Sequence, residues 1–392
     1  MKAMKNIDGE IIVIDNNSVD GSFEFFENRF LSVNFIWNKT NSGFAKANNQ
    51  ALKIAKGEYI LFINPDTIVA EDCFEKCISF INSKNNNCAL GIKMIDGSGN
   101  FLKESKRAFP SPSTSFYKLS GLSKLFPHSK TFSKYHLGYL SENKNHEVDV
   151  LAGAFMMIPK RILDIVGGFD EEFFMYGEDI DLSFRIQKVG FKNYYFAESS
   201  IIHFKGESTK KGSLNYVKIF YKAMSIFVKK HYGGKQAGLF SFFIHIAILM
   251  RAALAAASRL FRRKWKDEKE PRKAADKNSF LIVGNESEFL KAKNLLARSG
   301  RKNESYIRIA VQKESDLNPM GLLNKIQNIL KSISVHEIIF CEGELSFKKI
   351  IETIPQIPKQ VNIQIFSEGS HAIIGNNNKD FAENFIDQPV QV

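Results

Sequence analysis

Glu10-Ile11-Ile12-Val13-Ile14-Asp15-Asn16-Asn17-Ser18 decides how the first half of the chain is read. Four consecutive β-branched residues without alternation describe a strand covered on both faces, and Asn16-Asn17-Ser18 ends it. Asp15 then stands at the carboxyl end of a buried strand. Working outward, Val33-Asn34-Phe35-Ile36-Trp37 reads as a second strand, residues 45–55 as a helix, and Tyr59-Ile60-Leu61-Phe62-Ile63-Asn64 as a third strand closed by Pro65. Strand and helix alternate, which predicts a largely parallel sheet with ligands at the strand carboxyl ends. A further helix is marked from Glu178 to Val189, where Leu182, Ile186 and Val189 share one face and Gly190 supplies the stop. From about Phe101 to Asn145 no clean period survives, which predicts a mobile or acceptor-facing insertion.

A chain of 392 residues exceeds what one core comfortably holds, so two folded units are expected. With 44% hydrophobic and 24% charged residues, wholesale disorder is excluded. The net charge of +12 is concentrated: Arg251 to Lys273 carry nine Lys or Arg against three Asp or Glu, 9 − 3 = +6. That half of the excess follows the apolar stretch 238–257, which suits anionic lipid headgroups better than a nucleic-acid groove. His245 and Arg251 interrupt the apolar run, leaving it short of the ~20 residues that cross a bilayer. Its flanks are both basic, so an interfacial helix or hairpin is favoured over a span.

A new unit begins at Ser279-Phe280-Leu281-Ile282-Val283-Gly284, with strand-like runs at 337–340 and 362–366 and a helical pattern over 322–333. The expected division is residues 1–230, a membrane-associated helical segment and basic linker over 231–277, and a small Rossmann-like α/β domain over 278–392. Cys73, Cys77, Cys88 and Cys341 have neither C-x-x-C nor zinc-finger spacing and read as packing residues. Nothing in them asks for an oxidising compartment, so cytosolic exposure is expected. Val283-Gly284-Asn285-Glu286 lacks the second and third glycines of a dinucleotide loop, which disfavours an oxidoreductase.

Four patterns follow one another in the first 210 residues. They are Ile14-Asp15-Asn16-Asn17-Ser18-Val19-Asp20-Gly21-Ser22; Asn41-Ser42-Gly43-Phe44-Ala45-Lys46-Ala47-Asn48-Asn49; Asn64-Pro65-Asp66-Thr67; and Gly153-Ala154-Phe155 through Gly168-Phe169-Asp170 to Gly177-Glu178-Asp179-Ile180-Asp181. His203-Phe204-Lys205-Gly206-Glu207-Ser208-Thr209 closes the series. Each is weak alone, but the ordered set resembles the family 2 inverting glycosyltransferases of the GT-A fold, in particular the rhamnosyltransferase-like branch.

The resemblance implies a Rossmann-like domain that takes a sugar from a nucleoside-diphosphate donor. Asp15, Asn17, Asn41, Gly43, Asn48, Asn64 and Asp66 would bind the donor. Asp66 and His203 would hold a divalent metal, Mg or Mn, and Asp179 would act as general base with Glu178 assisting. Asn64-Pro65-Asp66 stands where the family usually has Asp-x-Asp, and one carboxylate suffices where phosphates and water complete an octahedron. The acidic first turn at 178–181 also has a bland explanation, since carboxylates at a helix N-terminus gain about 0.3–1 kcal/mol each from the macrodipole. The aromatic run Phe173-Phe174-Met175-Tyr176 beside it suggests a sugar-stacking wall, and the insertion would face the acceptor. The implied partners are a nucleotide sugar, a glycan or lipid-linked oligosaccharide acceptor, and the cytoplasmic face of the inner membrane, in cell-envelope polysaccharide synthesis.

One departure concerns the start. Such enzymes open with a strand and helix before the strand that ends at Asp15, and here only Met1 to Gly9 precede it. The expectation is a domain lacking an N-terminal strand and helix, on the order of thirty residues by βαβ dimensions, with an unpaired hydrophobic edge. A catalytically impaired membrane-bound scaffold or binding paralogue is the competing reading.

Overall fold

The computed structural model describes residues 2–19, 29–204, 214–233, 279–298, 305–312, 319–367 and 373–375, with Gly21, Phe26, Gly238 and Phe242. The apolar stretch 238–257, those two residues apart, lies outside the described residues, as do the linker 266–277 and the 205–209 part of the closing motif. No helix among the described residues is long and apolar enough to cross a membrane.

Strands β1 (Ile11–Asp15) and β2 (Val33–Trp37) pair in parallel as a two-stranded sheet. Helix α1 (Phe44–Ile54) then leads to β3 (Tyr59–Ile63) and the short β4 (Thr67–Val69). Helix α2 (Cys73–Ser83) precedes β5 (Cys88–Ile95), and the insertion carries α3 (Pro112–Leu119) and α4 (Leu122–Leu125). After these come β6 (His146–Glu147), β7 (Phe155–Pro159), α5 (Lys160–Val166), α6 (Glu178–Lys188), β8 (Lys192–His203) and α7 (Leu214–Tyr232).

The central sheet runs β3-β7-β5-β8-β4, with β6 on β8. It is mixed, which corrects the expected parallel sheet. Only β5 and β8 pair in parallel, while β7 is antiparallel to both its neighbours and β4 is antiparallel to β8. The reason lies in the connections: β4 follows β3 through a tight turn, and β7 enters after the long insertion instead of by a helical crossover. Parallel pairing needs a crossover of a dozen or more residues, and neither of these strands arrives by a simple one.

β1 also differs from its reading. All five of its residues are half-buried, because it has β2 on one edge only and no ladder to β3. The insertion, expected to be mobile, packs instead: Leu102, Ala108, Tyr135 and Leu137 are buried, and Arg107 bridges to Val150 in antiparallel fashion. Its elements run only three to eight residues, too short to print a period on the sequence.

Helix α7 lies on the far side of α6. Its Ala223, Met224, Phe227 and Val228 form a core with Val150, Phe173 and Ile180. Fully burying one such side chain as large as Phe227 stabilises by about 1.5–3 kcal/mol. A polar hub ties the same helices: fully buried Asp181 accepts from Arg185 Nε at 2.7 Å, Lys230 Nζ at 2.9 Å and His231 Nε2 at 2.7 Å. Lys230 also pairs with Asp170.

The second sheet has the order β10-β9-β11-β12-β13, built from β9 (Ser279–Val283), β10 (Ser305–Ile309), β11 (Glu337–Cys341), β12 (Asn362–Phe366) and β13 (Ile373–Gly375). Its first four strands are parallel, with α8 (Glu286–Arg298), α9 (Ile326–Ser332) and α10 (Phe347–Thr353) between them. Glu71 of the first sheet's side accepts from the α10 amides of Phe347 and Lys348 at 2.7 and 2.9 Å, and Lys2 pairs with buried Glu342. Where a dinucleotide phosphate would need free amides, Glu288 accepts instead from the amides of Asn285 at 2.9 Å and Glu344 at 3.3 Å.

Candidate active site

The chain leaves β3 through Asn64-Pro65-Asp66, and Thr67 Oγ1 closes the turn by donating to the Asn64 carbonyl at 2.7 Å. Because β4 pairs with the end of β8, Thr67 sits opposite His203, and Phe204 N donates to the Asp66 carbonyl at 3.0 Å. Asp66 Oδ1 comes within 3.1 Å of His203 Nε2 without hydrogen-bond geometry. Asp66 Oδ1 and His203 Nδ1 are both buried and unpartnered, and Asn64 Nδ2 stands 3.4 Å from His203 Nε2.

A buried oxygen left without a partner costs about 1–3 kcal/mol, more when it is charged. Asp66 Oδ1 and His203 Nε2, 3.1 Å apart, are a carboxylate oxygen and an imidazole nitrogen of the kinds that fit a divalent cation, with the ring proton then on Nδ1. Among the described residues no three His, Cys, Asp or Glu side chains gather as a metal cage. The donor set therefore fits a cation shared with a bound anionic ligand, with Asn64 as a neutral neighbour.

The second cluster sits at the start of α6, where Gly177 takes a left-handed φ of 92° that favours glycine. A Cβ there would come within 2.9 Å of the Phe173 ring. Asp179 Oδ2 accepts from Arg107 Nη2 at 2.5 Å and from Gly153 N at 3.3 Å. Arg107 Nη2 also donates to the Leu151 carbonyl at 2.8 Å. Burial works against the Arg107 charge, yet Asp179 and Tyr135 beside it hold the guanidinium above its already high ordinary value.

Glu178 is only 7% exposed, and its Oε2 has no partner. Burial, and after it the negative charge of Asp179, pushes its carboxyl up to about 8. Tyr135 behaves differently: burial raises its phenol, but the positive charges of Lys118 and Arg107 outweigh that and hold it below the ordinary range. Arg107 and Tyr135 were not visible as functional residues in the sequence, because a single Arg in an aperiodic stretch carries no signal.

Gly153 and Ala154 join the two clusters. Gly153 N donates to Asp179, while the next residue's carbonyl accepts from Asn64 N at 3.1 Å. Asp66, His203 and Asp179, drawn from distant parts of the chain, thus share one end of the central sheet. The Gly43 loop borders them: Phe44 N donates to the Phe174 carbonyl at 3.1 Å, and a Cβ on Gly153 would meet both Asp179 and Phe44.

The remaining expected donor contacts are placed as follows. Asp15 Oδ2 accepts from Ser18 N at 3.0 Å, a local turn contact, and Asn17 adopts a left-handed φ of 67°. Asn16 fastens this strand end to the Gly43 loop, its Nδ2 donating to the Gly43 carbonyl at 3.1 Å. Asn41 Oδ1 accepts from Gly43 N at 3.0 Å. Asn48 spends its amide on the Phe44 carbonyl at 2.9 Å, within its own helix. In the aromatic run, Phe173 is consumed in the core with α7, whereas Phe174 is 52% exposed.

Comparison with known proteins adds the family. The model described as glycosyl transferase family 2 matches residues 2–165, a stretch that includes Asp15, Asn64, Asp66 and Arg107. That match spans about two fifths of the chain. The N-acetylglucosaminyl-diphospho-decaprenol L-rhamnosyltransferase of Mycobacterium tuberculosis is 24% identical over 263 residues, 64% of this chain and 85% of that protein. The rhamnosyltransferase WbbL of Escherichia coli is 30% identical over 171 residues, 41% of this chain and 61% of its own length. Among solved structures, GalNAc-T7 with UDP, GalNAc and Mn2+ aligns at a TM-score of 0.40 and 18% identity, covering 56% of this chain and 41% of that one. The matched stretch contributes β1 to β7 to the mixed α/β architecture described above.

Proposed function

We propose that the chain is an inverting glycosyltransferase that moves a sugar, with rhamnose the leading candidate, from a nucleoside-diphosphate donor to an acceptor hydroxyl. The observation that carries this reading is the juxtaposition through Gly153-Ala154 of an unsatisfied Asp66–His203 pair and the Asp179 carboxylate. Asp179 receives the acceptor proton, a contribution of typically ~10²–10⁴ in rate. Asp66 and His203 would hold a divalent cation, which when bound would supply charge stabilisation for the departing diphosphate. A single base beside the leaving-group site supports one displacement with inversion.

Asp15 and the Gly43 loop border the donor end, with Asn17, Asn41 and Asn64 lining it and Asn48 supporting the loop from α1. A lipid-linked diphosphate sugar is the acceptor favoured by the first relative's name. A basic, apolar segment after α7 would keep the cleft at the cytoplasmic face of the inner membrane, near such an acceptor. Incubating the full chain with nucleoside diphosphate sugars, rhamnose donors included, and a lipid-linked N-acetylglucosaminyl diphosphate tests the reading. Transfer that stops with Asp179→Asn and with a chelator is the expected result, and transfer unaffected by both overturns it.

A further inference from the structure

Two adjacent carboxylates at the start of α6 cannot both carry charge cheaply, since Glu178 is buried with an unpartnered oxygen and Asp179 stands beside it. We propose that Arg107, supplied by the insertion, is a positioning residue that decides which of the two is ionised, placing the charge on Asp179 and leaving the proton on Glu178. This rests on the reading of Asp179 as base for its relevance to catalysis, but the charge assignment stands on geometry alone.

The guanidinium reaches one partner of the pair and not the other. Arg107 Nη2 lies 2.5 Å from Asp179 Oδ2, a charge-assisted contact in a setting where both side chains are largely buried. The same Nη2 is anchored on the Leu151 carbonyl, and the Arg107 backbone is bridged to Val150. The cation is therefore held on the side of Asp179. Among the described residues nothing pairs with Glu178 Oε2, so burial of an ionised oxygen there outweighs the help from the Glu178 amide and the more distant Arg107 charge.

The groups facing Asp179 come from three elements: Arg107 from the insertion's bridge to Val150, Tyr135 from the 3-10 turn 134–136, and Glu178 from α6 itself. Lys118 of α3 lies 4.0 Å over the Tyr135 ring and adds a second positive charge behind it. The raised Glu178 carboxyl agrees with this sorting. Its consequence is functional. A carboxylate must be unprotonated to accept the acceptor's proton, and here the insertion, remote in sequence from the acidic motif, makes it so.

Carboxyl-13C NMR of the full chain labelled at aspartate and glutamate side chains reads both groups without any substrate. Asp179→Asn and Glu178→Gln assign the two resonances. In the wild type, the Glu178 resonance should titrate well above the ordinary carboxyl range, near 8. Arg107→Gln should raise the Asp179 midpoint by about 1–3 units and bring the two carboxyls closer together. Arg107→Lys should restore most of the separation. If Arg107→Gln does not fold, Arg107→Met of similar bulk takes its place, with folding judged by circular dichroism. An Asp179 midpoint that stays put in the neutral variants overturns the proposal. In a parallel assay of sugar transfer, the acid limb of the kcat/KM profile should move with the NMR midpoint. Activity that survives Asp179→Asn refutes the base reading instead and leaves the charge assignment to the NMR result.

Discussion

The two polar clusters at the end of the central sheet are opposites. Around Asp66 and His203 a buried oxygen and a buried nitrogen find no hydrogen-bond partner. Around Asp179 both oxygens are taken, Oδ2 by Arg107 and Gly153 and Oδ1 by the amide of Ile180 at 2.8 Å. Buried polar groups are as a rule satisfied, and among the described residues these two atoms have no hydrogen-bond partner. A saturated carboxylate is instead aimed and ready, held in one orientation before any substrate arrives. On the proposed reading, the first cluster would take the cation and the second the acceptor proton.

That contrast is open to attack from both sides. The largest loss is expected at the saturated end: Asp179→Asn should lower kcat by about 10²–10⁴ with the melting temperature little changed. A drop below tenfold in a transfer assay would remove Asp179 from the chemistry. Next comes the support behind it. Asp181→Ala removes the carboxylate shared by Arg185, Lys230 and His231, and breaking such a buried ion pair costs about 3–5 kcal/mol.

The pH dependence of that support has a definite sign. Burial raises the Asp181 carboxyl, but Arg185, His231 and Lys230 outweigh it and hold the net value below the ordinary one. Its contribution is thus complete above the unfolded value of about 3.9 and is lost as pH falls through the lower folded value. Denaturant titrations across the acidic range should show this loss in the wild type and not in Asp181→Asn.

At the unsatisfied end, Asp66→Ala or His203→Ala should reduce transfer by roughly a hundredfold, the scale of losing a cation's charge stabilisation. Calorimetry with Mn2+ in the presence of a nucleoside diphosphate should show the matching loss of binding. Equal metal affinity in the variants would erase the contrast between the clusters.

Glu178→Gln should have the smallest effect, less than tenfold on kcat. Its signature lies in stability. A carboxyl whose folded value is pushed to about 8 keeps its proton in the native state while the unfolded chain loses it, so wild-type stability should decline as pH rises from about 4.5 to 8. The glutamine variant should lack that decline.

The short acidic motif before Ile180, the Asn64-Pro65-Asp66 turn and His203 were legible because each sits at the end of an element with a strong local pattern. Strand ends are where open α/β sheets place ligands, so naming the ends named candidate residues. Other residues told less. Asn48 was expected at the donor cleft, but its amide bonds the Phe44 carbonyl one turn earlier, an alternative open to any Asn inside a helix. Phe173 and Phe174 are neighbours of the same type, and only packing against α7 separates a core ring from an exposed one.

Local chemistry carried in the chain order was enough to place β1, β2, β3, α1 and α6, because hydrophobic period and turn residues act over a few positions, whereas the roles expected of Asp179 and His203 came from the resemblance of their motifs to a family. Strand direction in the central sheet, the packing of the insertion and the meeting of Arg107 with Asp179 came only with the tertiary structure. Those depend on which distant segments share an edge or a buried volume, and a guanidinium finds its carboxylate 72 positions away only when the sheet between them has closed.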